Sequence, residues 1–236
     1  MQEQQDSTLE GFMKVCEDNA HATRAKLPNA WAKLAGIHDA YKHLLDTLYN
    51  TPDHHVAMFL LRAHSAFLAA CRLALSGQAA ESYMATRSCL EAALYGVFVH
   101  KEPDAMKVWL DRHVDKASRD ASKRKFALAE LLNFLEGIDR SVGERLRALY
   151  EDAIDRGGHP NERAILGAMR RRDEGKDVFL LMHYATGDPH VIGAAVRSAA
   201  RAGLCALEAF RNVYGTRMEL TGFGGTLREL RNGLET

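Results

Sequence analysis

Residues 188–213 read DPHVIGAAVRSAARAGLCALEAFRNV. Asp188 is a natural acceptor for the free backbone N–H groups at a helix start, and Pro189 suits the first turn because it brings no N–H of its own. Beyond it, Ile192, Val196, Ala199, Gly203, Ala206, Phe210 and Val213 recur at steps of four and three. That is the period of one face of an α-helix. The small residues at 199, 203 and 206 let a neighbouring helix come close. A long packing helix over 189–214 is expected.

Upstream, the same period recurs. A first helix is expected to about residue 26, with Pro28 separating it from a second. There Trp31, Leu34, His38, Tyr41, Leu45 and Leu48 share a face. A third comes after Thr51-Pro52-Asp53, with Val56, Phe59, Ala63, Phe67, Ala70 and Ala74 as its stripe. A fourth runs to about His100. Residues 114–124 are polar and mixed in charge, a loop or a solvated helix face. Ser141-Val-Gly-Glu144 has the spacing of a capping box and opens a helix carrying Val142, Leu146, Leu149 and Ala153. After Asn161 the period changes. Ile165, Gly167 and Met169 alternate, as do Val178, Leu180, Met182 and Tyr184, on either side of the turn-like DEGK. Period two around a glycine turn predicts a β-hairpin, which would place Arg170, Arg171 and Arg172 at its tip. The expected architecture is mainly α: a single domain over 1–236, with an N-terminal helix (1–26), a helical bundle (29–157), an inserted β-hairpin (163–186), the long helix (189–214) and a tail (215–236) that is glycine-rich and then weakly helical.

Composition narrows the function. The 236 residues are 47% hydrophobic and 26% charged, and 31 Lys and Arg balance 31 Asp and Glu. A nucleic-acid binder usually carries a basic surplus; none is visible over the whole chain. Cys16, Cys71, Cys89 and Cys205 are far apart with no C-x-x-C pair, which fits a reducing cytoplasm better than a disulfide framework. The N-terminus does not resemble a secretory signal. The most apolar run, VAMFLLRAHSAFLAACRLAL, carries Arg62, His64 and Arg72 and reads as a buried helix, so no membrane partner is expected.

Two stretches hold candidate site residues. On the fourth helix Met84, Arg87, Glu91, Leu94 and Phe98 fall on one stripe. If that stripe faces the core, it embeds an Arg–Glu pair, at a desolvation cost that Coulomb attraction need not recover. On a surface helix the opposite order, Glu before Arg, is the better arrangement. The alternative is that the stripe lies at the edge of the core and both heads reach water. The second stretch is DRGGHPNERA, 155–164. Gly157 or Gly158 can take a positive φ and end the preceding helix. Pro160 pushes His159 into an extended conformation, and Asn161 can cap the next segment or make an Asx turn. A helix stop needs glycine but not His-Pro-Asn. The expectation is that His159 meets the Arg87–Glu91 pair and completes a polar network; otherwise it is a turn residue making one hydrogen bond.

ATRSCLEAALYGVF (85–98) and LYEDAIDRGGHPNE (149–162) resemble two motifs of an uncharacterised bacterial helical family, which is itself similar to the wider HEPN group of helical bundles. The resemblance covers residues 79–162 and extends loosely to the last helix. It implies that Arg87, Glu91 and His159 are the residues to watch. Catalytic HEPN ribonucleases carry an Arg–x4–6–His motif, and none of the eleven histidines here has an arginine at that spacing upstream. The resemblance therefore implies a HEPN-like scaffold without that nuclease signature.

Other signals are weaker. Glu17, Asp18 and His21, and Asp39 and His43, have usable metal-ligand spacings, but no Glu-x-x-His occurs, so no metal is expected. No cofactor motif is present: TGFGGT (221–226) lacks the Gly-Lys-Ser/Thr of a phosphate loop. His38, on an apolar stripe, reads as a satisfied core residue, and His54-His55 as solvated. Two functions are expected from these signals. The first is a non-enzymatic interaction module, a homodimer that meets partners through the small-residue face of the last helix or the hairpin. Arg87, Glu91, His159 and Asn161 would then form a structural network. The second is a metal-independent enzyme acting on RNA or a nucleotide with Arg87, Glu91 and His159. A sealed network favours the first and a network opening on a cleft favours the second.

Overall fold

The computed structural model describes residues 8–49, 51, 54–158, 162–167, 169–174, 177–182 and 184–234. The chain is mainly helical. In order, α1 is Leu9–Lys26, α2 Pro28–Asp46, α3 His54–Leu75, α4 Ala79–Lys101, α5 Ala105–Leu110, α6 Lys116–Lys125, α7 Leu128–Ile138 and α8 Arg140–Ala153. A π-turn, Ile154–Gly158, leads towards α9 (Glu162–Gly167). Strands β1 (Met169–Glu174) and β2 (Asp177–Met182) pair antiparallel, with Met169 opposite Met182. Then come α10 (Pro189–Ala209), α11 (Arg211–Leu220) and α12 (Phe223–Arg231).

At the centre α3, α4 and α10 pack on one another, and α2, α7 and α8 cover them. The stripe of α3 is buried from Val56 to Ala74. By length and composition α3 could cross a membrane, yet this stripe is core. Its opposite face leaves Met58, Leu61 and Leu68 exposed. On α10 Asp188 accepts from His190 N at 2.8 Å, and Pro189 occupies the first turn. Ala199, Gly203 and Ala206 are buried inside the chain's own core. A Cβ at Gly203 would stand 2.4 Å from the Phe67 ring. The Tyr41 hydroxyl donates to the Gly203 carbonyl at 3.1 Å. This face is thus consumed by α2 and α3 and does not await a partner.

Several expectations are corrected. The core face of α2 is Leu34, Ile37, Ala40, Tyr41 and Leu44, rotated from the expected stripe. Trp31 points outward, with the Arg24 guanidinium 4.2 Å above its ring. The cap of α8 is Asp139, whose carboxylate accepts from Val142 N at 3.1 Å. Ser141 lies inside the helix and accepts from Arg145. The period-two reading began too early, because residues 162–167 are helical. Arg170, Arg171 and Arg172 sit within β1, opposite Leu181, Leu180 and Phe179, and not at a tip. Gly157 has an extended φ of 172°, so no left-handed conformation calls for glycine there. Close approach does: a Cβ would stand 2.3 Å from the Ala80 carbonyl oxygen.

The last segment is helical, as expected for its end, but the helices also take in its glycines: Gly215 lies in α11, and Gly224 and Gly225 in α12. The long helix breaks at Phe210, and α11 and α12 fold back. Glu208, the single acid in α10, is 2% exposed. It accepts from Arg145 Nη2 of α8 at 2.7 Å and from Arg231 Nε of α12 at 2.9 Å. Arg201 donates to the Leu234 carbonyl, and Lys33 to that of Asn232 at 2.9 Å.

Candidate functional site

The expected stripe on α4 divides along its length. Leu94 and Phe98 are buried, and Phe98 meets Phe134 of α7 edge to face at 5.1 Å. Met84 is exposed. Arg87 and Glu91 lie between, with side chains 30% and 34% exposed. The core-facing and the edge-lying alternatives therefore each hold in part: the pair sits at the edge of the core, neither sealed nor free.

Arg87 Nε donates to Glu91 Oε1 at 2.9 Å, and the same oxygen accepts from the Tyr150 hydroxyl at 2.8 Å. The Arg87 guanidinium carbon stands 5.5 Å from the centre of the Tyr150 ring, in cation–π range. Tyr150 reaches this position because Val142, Leu146, Tyr150 and Ala153 form the buried face of α8. Burial raises the Tyr150 pKa well above the usual range, and the Glu91 carboxylate raises it further against the opposing pull of Arg87. The phenol is thus a fixed donor. Burial works against the Arg87 cation, but the hydrogen bond and charge of Glu91 outweigh it and raise its pKa.

A turn earlier on α4 the roles are exchanged. Arg156, beyond the end of α8, places its guanidinium carbon 5.9 Å from the centre of the Tyr83 ring and donates to Asp152 at 2.6 Å. Burial raises the Tyr83 pKa, with Arg156 opposing and Asp152 adding to it. Each helix thus supplies an arginine to the other's tyrosine. The sequence reading missed Tyr83, Tyr150, Asp152 and Arg156. One signal was available: Tyr83, Arg87, Glu91 and Tyr95 succeed one another at steps of four.

His159 and Asn161 lie outside the described residues. The chain leading to them brings Gly157 against Ala80. Ala80 is seven residues before Arg87, about 10 Å along the helix axis.

His38, expected to be a satisfied core residue, finds its partner in His64. His38 Nδ1 lies 2.9 Å from His64 Nε2, and the His64 ring stacks on Tyr41 at 4.8 Å. Tyr41 in turn lies 3.7 Å from Cys89 Sγ. Burial pushes the Cys71, Cys89 and Cys205 thiols up to about 12. Among the described residues no three His, Cys, Asp or Glu side chains gather as a metal site. A groove of about 520 Å³ lies apart from the α4–α8 pair, between the end of α2 and α11, lined by Thr47, Tyr49, Tyr214 and Arg217 among others. Comparison with protein-family models, with curated proteins and with solved structures gave no match.

Proposed function

We propose that this chain is a non-enzymatic, HEPN-like helical interaction module, with the antiparallel strand pair as an insertion, and that it works as a homodimer. The observation that carries the reading is the double occupation of Glu91 Oε1 by Arg87 of its own helix and Tyr150 of the next. A carboxylate that accepts from both helices fixes their register. Such use of a polar group for specificity is a recognised alternative to stability.

The surface we assign to self-association is the outer face of α3. Met58, Leu61 and Leu68 are exposed there, with the small Ser65 between them. An antiparallel crossing about Ser65 sets Leu61 of each copy near Leu68 of the other, as a two-fold contact requires. Light scattering over a hundredfold concentration range tests it. A dimer that Leu61→Asp with Leu68→Asp converts to monomer supports the reading; a strict monomer at every concentration removes it.

A second reading rests on the partial exposure of Arg87 and Glu91. Here the protein is a metal-independent enzyme acting on RNA or a nucleotide. Arg87 would hold phosphate, His159 would exchange protons and Glu91 would orient one of them. RNA incubated with the wild type and with His159→Ala decides. Intact RNA with the wild type, or equal cleavage by both, eliminates this reading.

A further inference from the structure

The even charge of the whole chain hides a local surplus. Between Lys107 and Lys125 there are seven lysines and arginines against three aspartates. Two of these charges have internal duties. Asp115 caps α6 by accepting from Ser118 N at 2.7 Å, and Lys125 pairs with Glu102 at 3.8 Å. Lys116, Arg119, Lys123 and Arg124 are exposed and form no ion pair among the described residues. Asp120, the acid within α6, stands four residues from both Lys116 and Arg124 and bridges to neither. Lys116, Arg119 and Lys123 fall at i, i+3 and i+7, along one side of the helix.

The same hairpin of helices exposes two aliphatic side chains. Leu110, at the end of α5, is 58% exposed, and Val114, before the cap of α6, is 72% exposed. They flank the short turn Asp111–His113 that joins the two helices. The aromatic residues here are turned inward. Trp109 meets Phe59 edge-on at 5.2 Å, and Phe126 stacks on Tyr95 at 4.8 Å.

We propose that the α5–α6 hairpin docks on an anionic lipid bilayer. Lys116, Arg119, Lys123 and Arg124 face the phosphate-bearing headgroups, and Leu110 and Val114 enter the boundary between headgroups and acyl chains. Clusters of four to eight Lys or Arg on a helix suit an anionic leaflet, and exposed aliphatic residues beside them add apolar burial. A nucleic acid fits the hairpin less well: single strands are held by stacking on aromatic rings, and both aromatic residues are used inside. The proposal stands apart from self-association through α3.

The test is sedimentation of the full chain with sucrose-loaded vesicles at 50 mM NaCl. Vesicles of phosphatidylcholine alone are compared with a 7:3 mixture of phosphatidylcholine and phosphatidylserine. The protein is expected to pellet with the anionic vesicles only and to be released at 0.5 M NaCl, where charges are screened within a few ångströms. Lys123→Gln with Arg124→Gln should weaken the partition about thirtyfold. Leu110→Ser with Val114→Ser should weaken it severalfold. Lys14→Gln with Arg140→Gln, exposed on α1 and α8, should leave it unchanged. All substituted side chains are exposed or partly so, and circular dichroism verifies the fold. Failure to pellet with anionic vesicles overturns the proposal, as does binding indifferent to the α6 charges. Tighter binding of a 20-nucleotide RNA through the same charges, unaffected at Leu110 and Val114, also overturns it and makes the hairpin a nucleic-acid surface.

Discussion

His38 Nδ1 and His64 Nε2 are 2.9 Å apart, so one ring must donate and the other accept. The acceptor cannot carry a second proton without breaking the contact. Burial, then the charges of His38 and Lys42, holds His64 down at about 4 against its ordinary 6.5. Between these values the unfolded chain binds the proton and the folded chain does not. Stability therefore rises with pH across the window and falls on acidification, by on the order of 3 kcal/mol over its full width. Urea unfolding at pH 7, 5.5 and 4.5 should show this slope. His64→Gln, which keeps an acceptor for His38, should flatten it; an unchanged slope would exonerate His64.

Tyr150→Phe removes the donor that ties α8 to Glu91. The bond involves a charged acceptor but is partly open to water, so the expected loss is about 1 kcal/mol. Glu91→Gln should cost a similar amount. The double variant should cost less than the sum, because the two act on one contact. Strict additivity in denaturant titrations would mean that the hydroxyl and the carboxylate do not work together.

Glu208→Gln leaves Arg145 and Arg231 without their shared buried carboxylate. Removing one member of a buried ionic group costs about 3 kcal/mol. The loss should appear first at the chain's end, as faster hydrogen exchange over 223–231 than over α3. Unaltered exchange there would show that α12 is held by other contacts.

Gly203→Ala drives a methyl into the Phe67 ring, which a built Cβ approaches to 2.4 Å. Overpacking of this kind costs about 1–3 kcal/mol. Phe67→Leu opens space, so the pair should be more stable than the sum of the single changes. Absence of rescue would place the strain in the α10 backbone instead.

The helical bundle was legible because its signal is local. The 4-3 spacing of α10 and α3 reflects burial over many turns, and the cap at Asp188 is read from adjacent residues. What was not legible depends on pairs far apart in sequence. Tyr150 meets Glu91 across 59 residues, and Glu208 meets Arg145 across 63. No periodicity reports which helix lies opposite. Within α2, Trp31 drew the expected stripe off the true face because a large aromatic was counted as core. It lies outside, under an arginine. Gly157 was attributed to backbone conformation when its reason is distance, which only the neighbouring Ala80 reveals. Arg87 and Glu91 were found on their own helix, but Tyr150, which joins them to α8, carries no mark in the sequence that sets it apart from a core aromatic.

The anchoring of α12 has a practical side. Arg231, Leu234 and Asn232 are all tethered, to Glu208, Arg201 and Lys33. A purification handle or fluorescent fusion grafted within 231–234 would compete with those tethers. The exposed start of α1 around Leu9 carries no comparable tether among the described residues and is the sounder place for a label.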